Sequence, residues 1–543
     1  MKRVISVLLA LILAVAVPGA AYAANTGETS FEESNDFDYE SYWRDIVSEN
    51  RVSMGGTEEG LAVMVNGRYI SFPDARPEYC LGKTMVPLRA FVEAQGGQVK
   101  YDPPTKLVTA VLNGVGMNLK AGSTEVAAVK NGEAFSFNLD CAPYVKNGTT
   151  YVPVRGICEL AGYDVFWDSD YETAVILNRS SIVSEIDKNY SVINKVFTIG
   201  SGRDAEKTYK AAMDLLISYT DLTPDGSGRT VDVTMNIDAI QNGLNQKITL
   251  TADLGKLIAF LGELAADDPG FYADEEALKI FESMSNLSMD MILNLDEECL
   301  YIKSNIFKSL GMVADENTWI LFGSEYMGAI TDIYSQLYGE DWYSYLSSAE
   351  YTLGSLIYDI SCASANVFTY ANIMDAANSI AVLSDSMFTK SGNTWKLNMN
   401  LESCEAFLAA IYGEDYTEYD AEDFRDTFEE FNISLNITEI NGKVSASGEL
   451  ALQEKADTEY PSPIQELRIS FSLSEESVKL KLEIQENDVM NLVIEYNGVV
   501  SETNEPVPKA PPEGSTVIAI EDIYGSLYEP DSASSDLAMA FKS

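Results

Sequence analysis

Any acid–base chemistry in this chain has to come from carboxylates. Its 543 residues include 84 Asp and Glu, 36 Lys and Arg, and no histidine. Without imidazole there is no Ser-His-Asp triad, no His-ligated zinc or copper site, and none of the commonest proton-transfer group near neutral pH. What survives is paired Asp/Glu chemistry of the kind that cleaves glycosidic bonds. Two pieces carry paired acids beside aromatics: Tyr338-Gly339-Glu340-Asp341-Trp342 and Tyr412-Gly413-Glu414-Asp415-Tyr416. Each follows an amphipathic stretch, with Gly where a helix C-cap belongs. Two capped helix ends followed by solvated acids are the simpler account. Asp221 to Gly226 holds two acids and a proline, a poor spacing for a calcium cage. Neither a full phosphate-binding loop nor Gly-x-Gly-x-x-Gly occurs. The expectation is no catalytic residue, no metal site, no cofactor, and a protein that is not an enzyme.

The net charge of −48 repels nucleic acid and anionic membranes, which excludes them as partners. Solubility is the simplest use of such a surface. Hydrophobic residues at 46% are enough for a full core. Lys2 and Arg3, an apolar run from Val4 to Val17, and Ala21-Tyr22-Ala23 read as a secretory signal peptide cut after Ala23. Ala24 follows the cut, so no lipid anchor is expected, and no later apolar run reaches transmembrane length. The expected location is secreted or on the cell surface. Six cysteines, Cys80, Cys141, Cys158, Cys299, Cys362 and Cys404, have no framework spacing. Cys158 falls on the buried face of a predicted helix. Cys80 and Cys141 both lie just before the motif described next, and a bridge between them is one of several possible pairings.

The elements that would position these residues are organised around a repeat. Thr84, Val86, Pro87, Arg89, Glu93, Gly96, Val99 and Asp102 recur without a gap as Thr150, Val152, Pro153, Arg155, Glu159, Gly162, Val165 and Asp168. Pro87 and Pro153 suit the first turn of a helix, and Gly96 and Gly162 suit its end. Arg89–Glu93 and Arg155–Glu159 have the spacing of helical ion pairs. Tyr101 and Trp167 end equivalent strands; a glycan-stacking role is open to them, and a place in the core is the simpler expectation. Asn66-Gly67 and Asn131-Gly132 read as hairpin turns. Each copy is a hairpin, a helix and a hairpin, and two copies can bury an apolar face that neither buries alone.

The order Asn-Gly, Thr-x-Val-Pro-Leu-Arg, Glu-Ala-x-Gly and Val-x-Trp-Asp resembles the copper amine oxidase N-terminal-like domain, also called the stalk domain, over about residues 61–179. The resemblance implies a small α+β spacer or attachment module, common in exported proteins of Gram-positive bacteria. It does not imply oxidase chemistry. Such an oxidase needs three histidines on copper and a tyrosine-derived quinone in an Asn-Tyr-Asp/Glu setting. Here histidine is missing and Asn189-Tyr190 is followed by Ser191.

Around the module, residues 1–23 read as the leader, 24–60 as an acidic linker, 180–228 as a helical connector, 229–505 as an antiparallel sheet with packed helices, and 506–543 as a proline-containing tail. In the linker, Tyr39 to Val47 reads as a docking turn of helix. In the connector, Ser184 to Val196 and Ala205 to Ile217 read as helices. Period-two alternation marks strands from Thr230 to Asn305 and from Thr394 to Tyr496, with helices at Ser324 to Tyr338, Ala349 to Ile360 and Ala365 to Ser384 between them. Met235, Met289, Met291 and Met399 would line a cavity or fill a core. This arrangement resembles the half-barrel lipoprotein carriers of bacterial envelopes, in fold only.

The fold class is therefore α+β, a small duplicated module followed by a larger antiparallel-sheet domain with helices. The expected function is non-enzymatic: the module for spacing or attachment, the larger domain for binding a hydrophobic small molecule or a cell-wall polymer. A carboxylate-based glycan-active enzyme and a purely structural surface protein remain alternatives.

Overall fold

In the computed structural model, residues 39–200, 203–204, 206–223, 228–243, 245–260, 285–324, 327, 351–412, 417, 425–455, 464–486 and 489–527 are described. The leader at 1–23, the acidic piece at 338–342, positions 413–416 of its counterpart and nearly all of the helix expected at 324–338 lie outside them. The chain forms two compact units. Among the described residues, one unit ends its first segment at Ser191 and adds Thr352–Ser384; the other takes Val192–Tyr351 and everything from Asp385.

The first unit opens with helix α1 (Tyr39–Ser53). Copy one of the repeat gives β1 (Ala62–Val65), β2 (Arg68–Tyr69), β3 (Glu78–Cys80), β4 (Lys83–Pro87), α2 (Leu88–Ala94), β5 (Gln98–Asp102) and β6 (Leu107–Leu112). Then β7 (Val115–Lys120) leads into copy two: β8 (Glu125–Lys130), β9 (Glu133–Asn138), β10 (Tyr144–Lys146), β11 (Thr149–Pro153), α3 (Val154–Leu160), β12 (Asp164–Asp168) and β13 (Thr173–Leu177). Pro87 and Pro153 stand immediately ahead of α2 and α3 in extended backbone. Gly96 and Gly162 follow those helices at φ +74° and +78°, a conformation glycine enters without a Cβ penalty.

The two copies exchange hairpins. β4 and β11 pair antiparallel with Val86 opposite Val152, so the same motif residue meets itself at the centre. β1 and β2 of copy one complete the sheet of copy two, in the order β12-β13-β1-β2. β8 and β9 of copy two extend β5 and β6 of copy one through β7. One core draws on both, including Val63, Phe91, Met117, Leu119, Ile157 and Ile176, all essentially buried. Neither copy closes this core alone.

Helices Leu353–Ser361 and Thr369–Ser379, far along the chain, belong to this first unit. They are held there by polar contacts. Arg179 pairs with Asp359 at 2.5 Å. The Tyr358 hydroxyl donates to Asp164 at 2.7 Å, and the Val367 amide donates to Asp168 at 3.1 Å. The Tyr370 ring fills the space beside Gly67, where a Cβ would come within 2.7 Å of it. The expected sheet-and-helix domain therefore loses these helices to the module. Their apolar faces need a partner surface, and in this unit they have one.

The second unit is built on one sheet. Its strands are β14 (Thr208–Asp221), β15 (Thr230–Asn242), β16 (Asn245–Asp253), β17 (Asn286–Asn294), β18 (Cys299–Ser304), β19 (Trp319–Phe322), β20 (Thr389–Ser391), β21 (Thr394–Met399), β22 (Phe428–Ile440), β23 (Lys443–Glu454), β24 (Ile464–Leu473), β25 (Ser477–Glu486), β26 (Met490–Thr503) and β27 (Val517–Ala519). The order is β20-β21-β22-β23-β24-β25-β26-β14-β15-β16-β17-β18-β19-β27, 14 strands in all. Two meanders run in sequence, and β26 returns to pair with β14 and join them. Among the described strands of this sheet, only β19 and β27 pair parallel.

Several expectations change here. Ala205 to Ile217 is not a helix; Thr208–Asp221 is a strand. Ala211-Ala212-Met213 and Leu215-Leu216 favour a helix locally, but pairing along both edges fixes the segment as a strand. The helix expected over Ser184 to Val196 breaks into Arg179–Asp187 and Ser191–Phe197. The connector 180–228 is thus helical only in its first part. The acidic linker contains α1, whose Arg51 is buried and donates to the Gly60 carbonyl at 2.7 Å. The tail contributes β27 and the helix Ile520–Leu527, whose Ile520 and Ile523 pack with Val313 and Ile320.

Candidate functional site

Strands of the large sheet alternate apolar and polar residues, so each presents one face of each kind. The register decides whether those faces agree, and they do. One transverse row of directly paired residues reads Leu397, Leu435, Gly448, Phe471, Leu480, Tyr496, Leu215, Met235, Ala252 and Leu287. A parallel row reads Met399, Ile433, Leu450, Ile469, Leu482, Ile494, Ile217 and Val233. The opposite face carries Lys396, Asn436, Ser447, Ser472, Lys479, Asn497, Asp214, Asn236, Thr251 and Ser288, polar throughout. An unbroken apolar face thus crosses from β21 to β17.

Burial along this face is uneven. Leu397, Leu435, Ile433 and Leu450 on one side, and Val233 and Ala252 on the other, are buried. Between them Phe471, Leu480, Leu482, Ile494, Tyr496, Leu215 and Met235 are only half-buried. Phe471 lies across Gly448, where a Cβ would meet its ring at 2.7 Å, so glycine is what lets the ring lie flat over the strand. Met213 and Met235 share the half-buried zone, Met289 and Met291 are half-buried on β17 beyond its far border, and Met399 is buried at the near one. Flexible thioethers adapt to apolar shapes. The polar groups of this central zone include the Tyr219 and Tyr496 hydroxyls, and burial raises the Tyr496 hydroxyl above its ordinary value.

On the polar face a groove of about 760 Å³ is lined by Asn398, Asn400, Glu402, Ser403, Glu430 and Asn432, among others. Glu430 accepts from Asn432 at 2.8 Å and pairs with Arg468 at 2.7 Å. Asn432 first, and Arg468 with it, hold its carboxyl below the usual range. Glu430 is thus a fixed, ionised acceptor and is unsuited to act as a general acid. Among the described residues no group of three or more His, Cys, Asp or Glu is placed to hold a metal ion.

The repeat residues fall mostly into structural positions. Arg89 pairs with Glu93 at 3.0 Å, and Arg155 with Glu159 at 3.9 Å, both exposed. Asp102 accepts from Thr105, and Asp168 accepts from the amides of Asp170 and Tyr171 at 3.1 Å. Tyr101 and Trp167 correct the expectation of a core place: they are 54% and 38% exposed, because their strands present that face outward. Trp167 meets only the edge of Tyr79, at 5.6 Å. Six free cysteines are present, with Cys158 buried as expected.

The swapped pair of hairpin–helix–hairpin units decides the module. Residues 64–138 and 129–198 each match the copper amine oxidase N-terminal domain. This domain is a non-catalytic, stalk-type domain. The match stops at residue 198, so the large sheet lies beyond it. None of the curated proteins matches the chain. No helix among the described residues is long and apolar enough to cross a membrane.

The alternation within most strands is legible in the sequence, and the alternatives of a cavity or a filled core for Met235, Met289, Met291 and Met399 follow from it; the register that joins the strands into one face is not. Lys479-Leu480-Lys481-Leu482-Glu483-Ile484 announces one apolar face by itself. Gly448 inside a strand is the remaining signal, since an interior glycine marks a close approach by another group; Asn497-Gly498 reads as a hairpin turn but lies inside β26.

Proposed function

We propose that the chain is an exported, non-enzymatic binding protein. In this reading the large sheet holds an elongated apolar small molecule on its half-buried apolar face, and the amine-oxidase-type module spaces or attaches it at the cell surface. The observation that carries the reading is the registered apolar face, half-buried at its centre along β25, β26 and β14 and at Phe471 and Met235 beside them. Each CH₂ moved from water onto such a face is worth about 0.8 kcal/mol, so a chain of about twelve carbons gains roughly 10 kcal/mol before ordering costs. Export rests on the leader sequence.

Native mass spectrometry of the purified full chain, and titration with a fluorescent fatty acid, test this reading. Co-purified lipid or saturable probe binding is expected. Ile494→Asp places a charge in the central zone and should weaken the probe at least about tenfold, an equivalent of 1.4 kcal/mol. A protein that never carries lipid, and whose probe binding ignores Ile494→Asp, overturns it. The polar groove beside Glu430 favours a second reading, an envelope polymer held by amides and carboxylates. Retention of the chain by isolated cell wall, lost in Asn432→Ala, would support that reading over the first.

A further inference from the structure

We infer that Cys80 and Cys141 form a disulfide that clamps strand β3 to the segment entering β10. Both thiols are partly exposed, and both are free in the structure. Three cross-links bracket them. Upstream of Cys80, Glu78 accepts from Tyr144 and pairs with Lys146 at 2.5 Å. Downstream, Lys83 pairs with Asp140, the residue before Cys141, at 2.6 Å. Glu78 and Cys80 lie two apart on β3 and share a face, so Cys80 looks toward the same surface that Tyr144 and Lys146 present. These contacts bring side chains of the two segments together across β4 and β11, and Cys80 lies close enough to Cys141 to act on its thiol electrostatically. The other four thiols have no such setting: Cys158, Cys299 and Cys404 are buried, and Cys362 lies on the inserted helical segment.

β3 and β10 are the outer strands of the sheet β10-β11-β4-β3. A covalent link between its two ends closes the loop from residue 80 to residue 141, and so ties copy one to copy two. The closing reaction is thiol–disulfide exchange. The thiolate of one cysteine attacks an external disulfide, such as oxidised glutathione, and releases one thiolate. The second cysteine then attacks the mixed disulfide and releases the other. Two protein thiols lose two protons and two electrons, and the external disulfide is reduced to two thiols. Burial first, then Cys80 and Asp140 nearby, raises the Cys141 thiol above its ordinary value, so closure speeds up as pH rises.

The test equilibrates the full chain with oxidised glutathione, blocks the remaining thiols with an alkylating reagent, and maps the peptides by mass spectrometry without reduction. The expected result is a Cys80–Cys141 cross-linked peptide, with the other four cysteines alkylated. Reduction should then lower Tm by about 5 °C or more, a shift that Cys80→Ser and Cys141→Ser both remove. Full alkylation of Cys80 and Cys141, stable glutathione adducts on each, or pairing of either with a third cysteine overturns the inference. Mapping the wild-type chain decides this even if a serine variant folds poorly.

Discussion

The two units bury apolar surface in opposite ways. In the module, Phe91, Leu119, Ile157 and Ile176 reach essentially complete burial, and Arg89, Arg155, Asp102 and Asp168 each have a polar partner. In the large sheet, the apolar face is buried at its flanks and half-buried at its centre. A closed core is what a spacer needs. A half-buried apolar zone gains less from burial than a closed core of the same residues. The contrast teaches that composition alone does not separate a closed core from a half-buried face, since both are rich in Val, Ile, Leu and Met.

Paired truncations are the strongest way to break this contrast. Leu119→Ala in the module should cost about 3–5 kcal/mol, because a fully buried leucine leaves a cavity. Leu215→Ala at the centre of the sheet should cost about 1 kcal/mol, since much less contact is lost. Urea melts of the two variants read the difference. Equal losses would mean that the sheet centre is as closed as the module core.

A second experiment compares the two copies within the module. Asp168 accepts amides from Asp170, Tyr171 and Val367, whereas Asp102 accepts from Thr105. Asp168→Ala should destabilise by about 1–3 kcal/mol, and Asp102→Ala by roughly 0.5 kcal/mol. Hydrogen exchange at Val367 should quicken only in the first variant. If the two substitutions cost the same, the Asp168–Val367 contact adds nothing to the hold on the inserted helices.

The smallest effect concerns alkaline pH. The buried Tyr190 hydroxyl donates to the Ala377 carbonyl at 2.5 Å. Burial raises it from 10.0 to about 12. A raised folded-state value gives stability that is whole below the unfolded value, so it erodes as pH climbs from about 10 toward 12. Unfolding free energy should fall by roughly 1 kcal/mol per pH unit in that window from this group, and Tyr190→Phe should remove that part of the slope. A slope unchanged by Tyr190→Phe would assign the alkaline loss to other tyrosines.

Much of the module was legible. Pro87, Gly96 and the Asn66-Gly67 turn act through backbone geometry that needs no distant partner, so their places follow from residue type. The exchange of hairpins was not legible, because β1 pairs with β13 more than a hundred residues away, as with Val63 opposite Ala174. Tyr101 and Trp167 were misplaced for the same kind of reason: alternation assigns a residue to a face, and only the packed neighbours say whether that face is covered. Ala205 to Ile217 reads as a helix because its local composition favours one, and pairing along two edges makes Thr208–Asp221 a strand instead.

By itself the sequence determined the repeat, the helix stops, the strand alternation and the lack of imidazole chemistry. These depend on single residues or on spacings within a few turns. Tertiary structure alone decided that the helices at 353–361 and 369–379 join the module, and that Leu215 sits beside Tyr496 across 281 positions of chain. Register between distant strands is fixed by the summed burial of a whole face, and no single strand carries that sum.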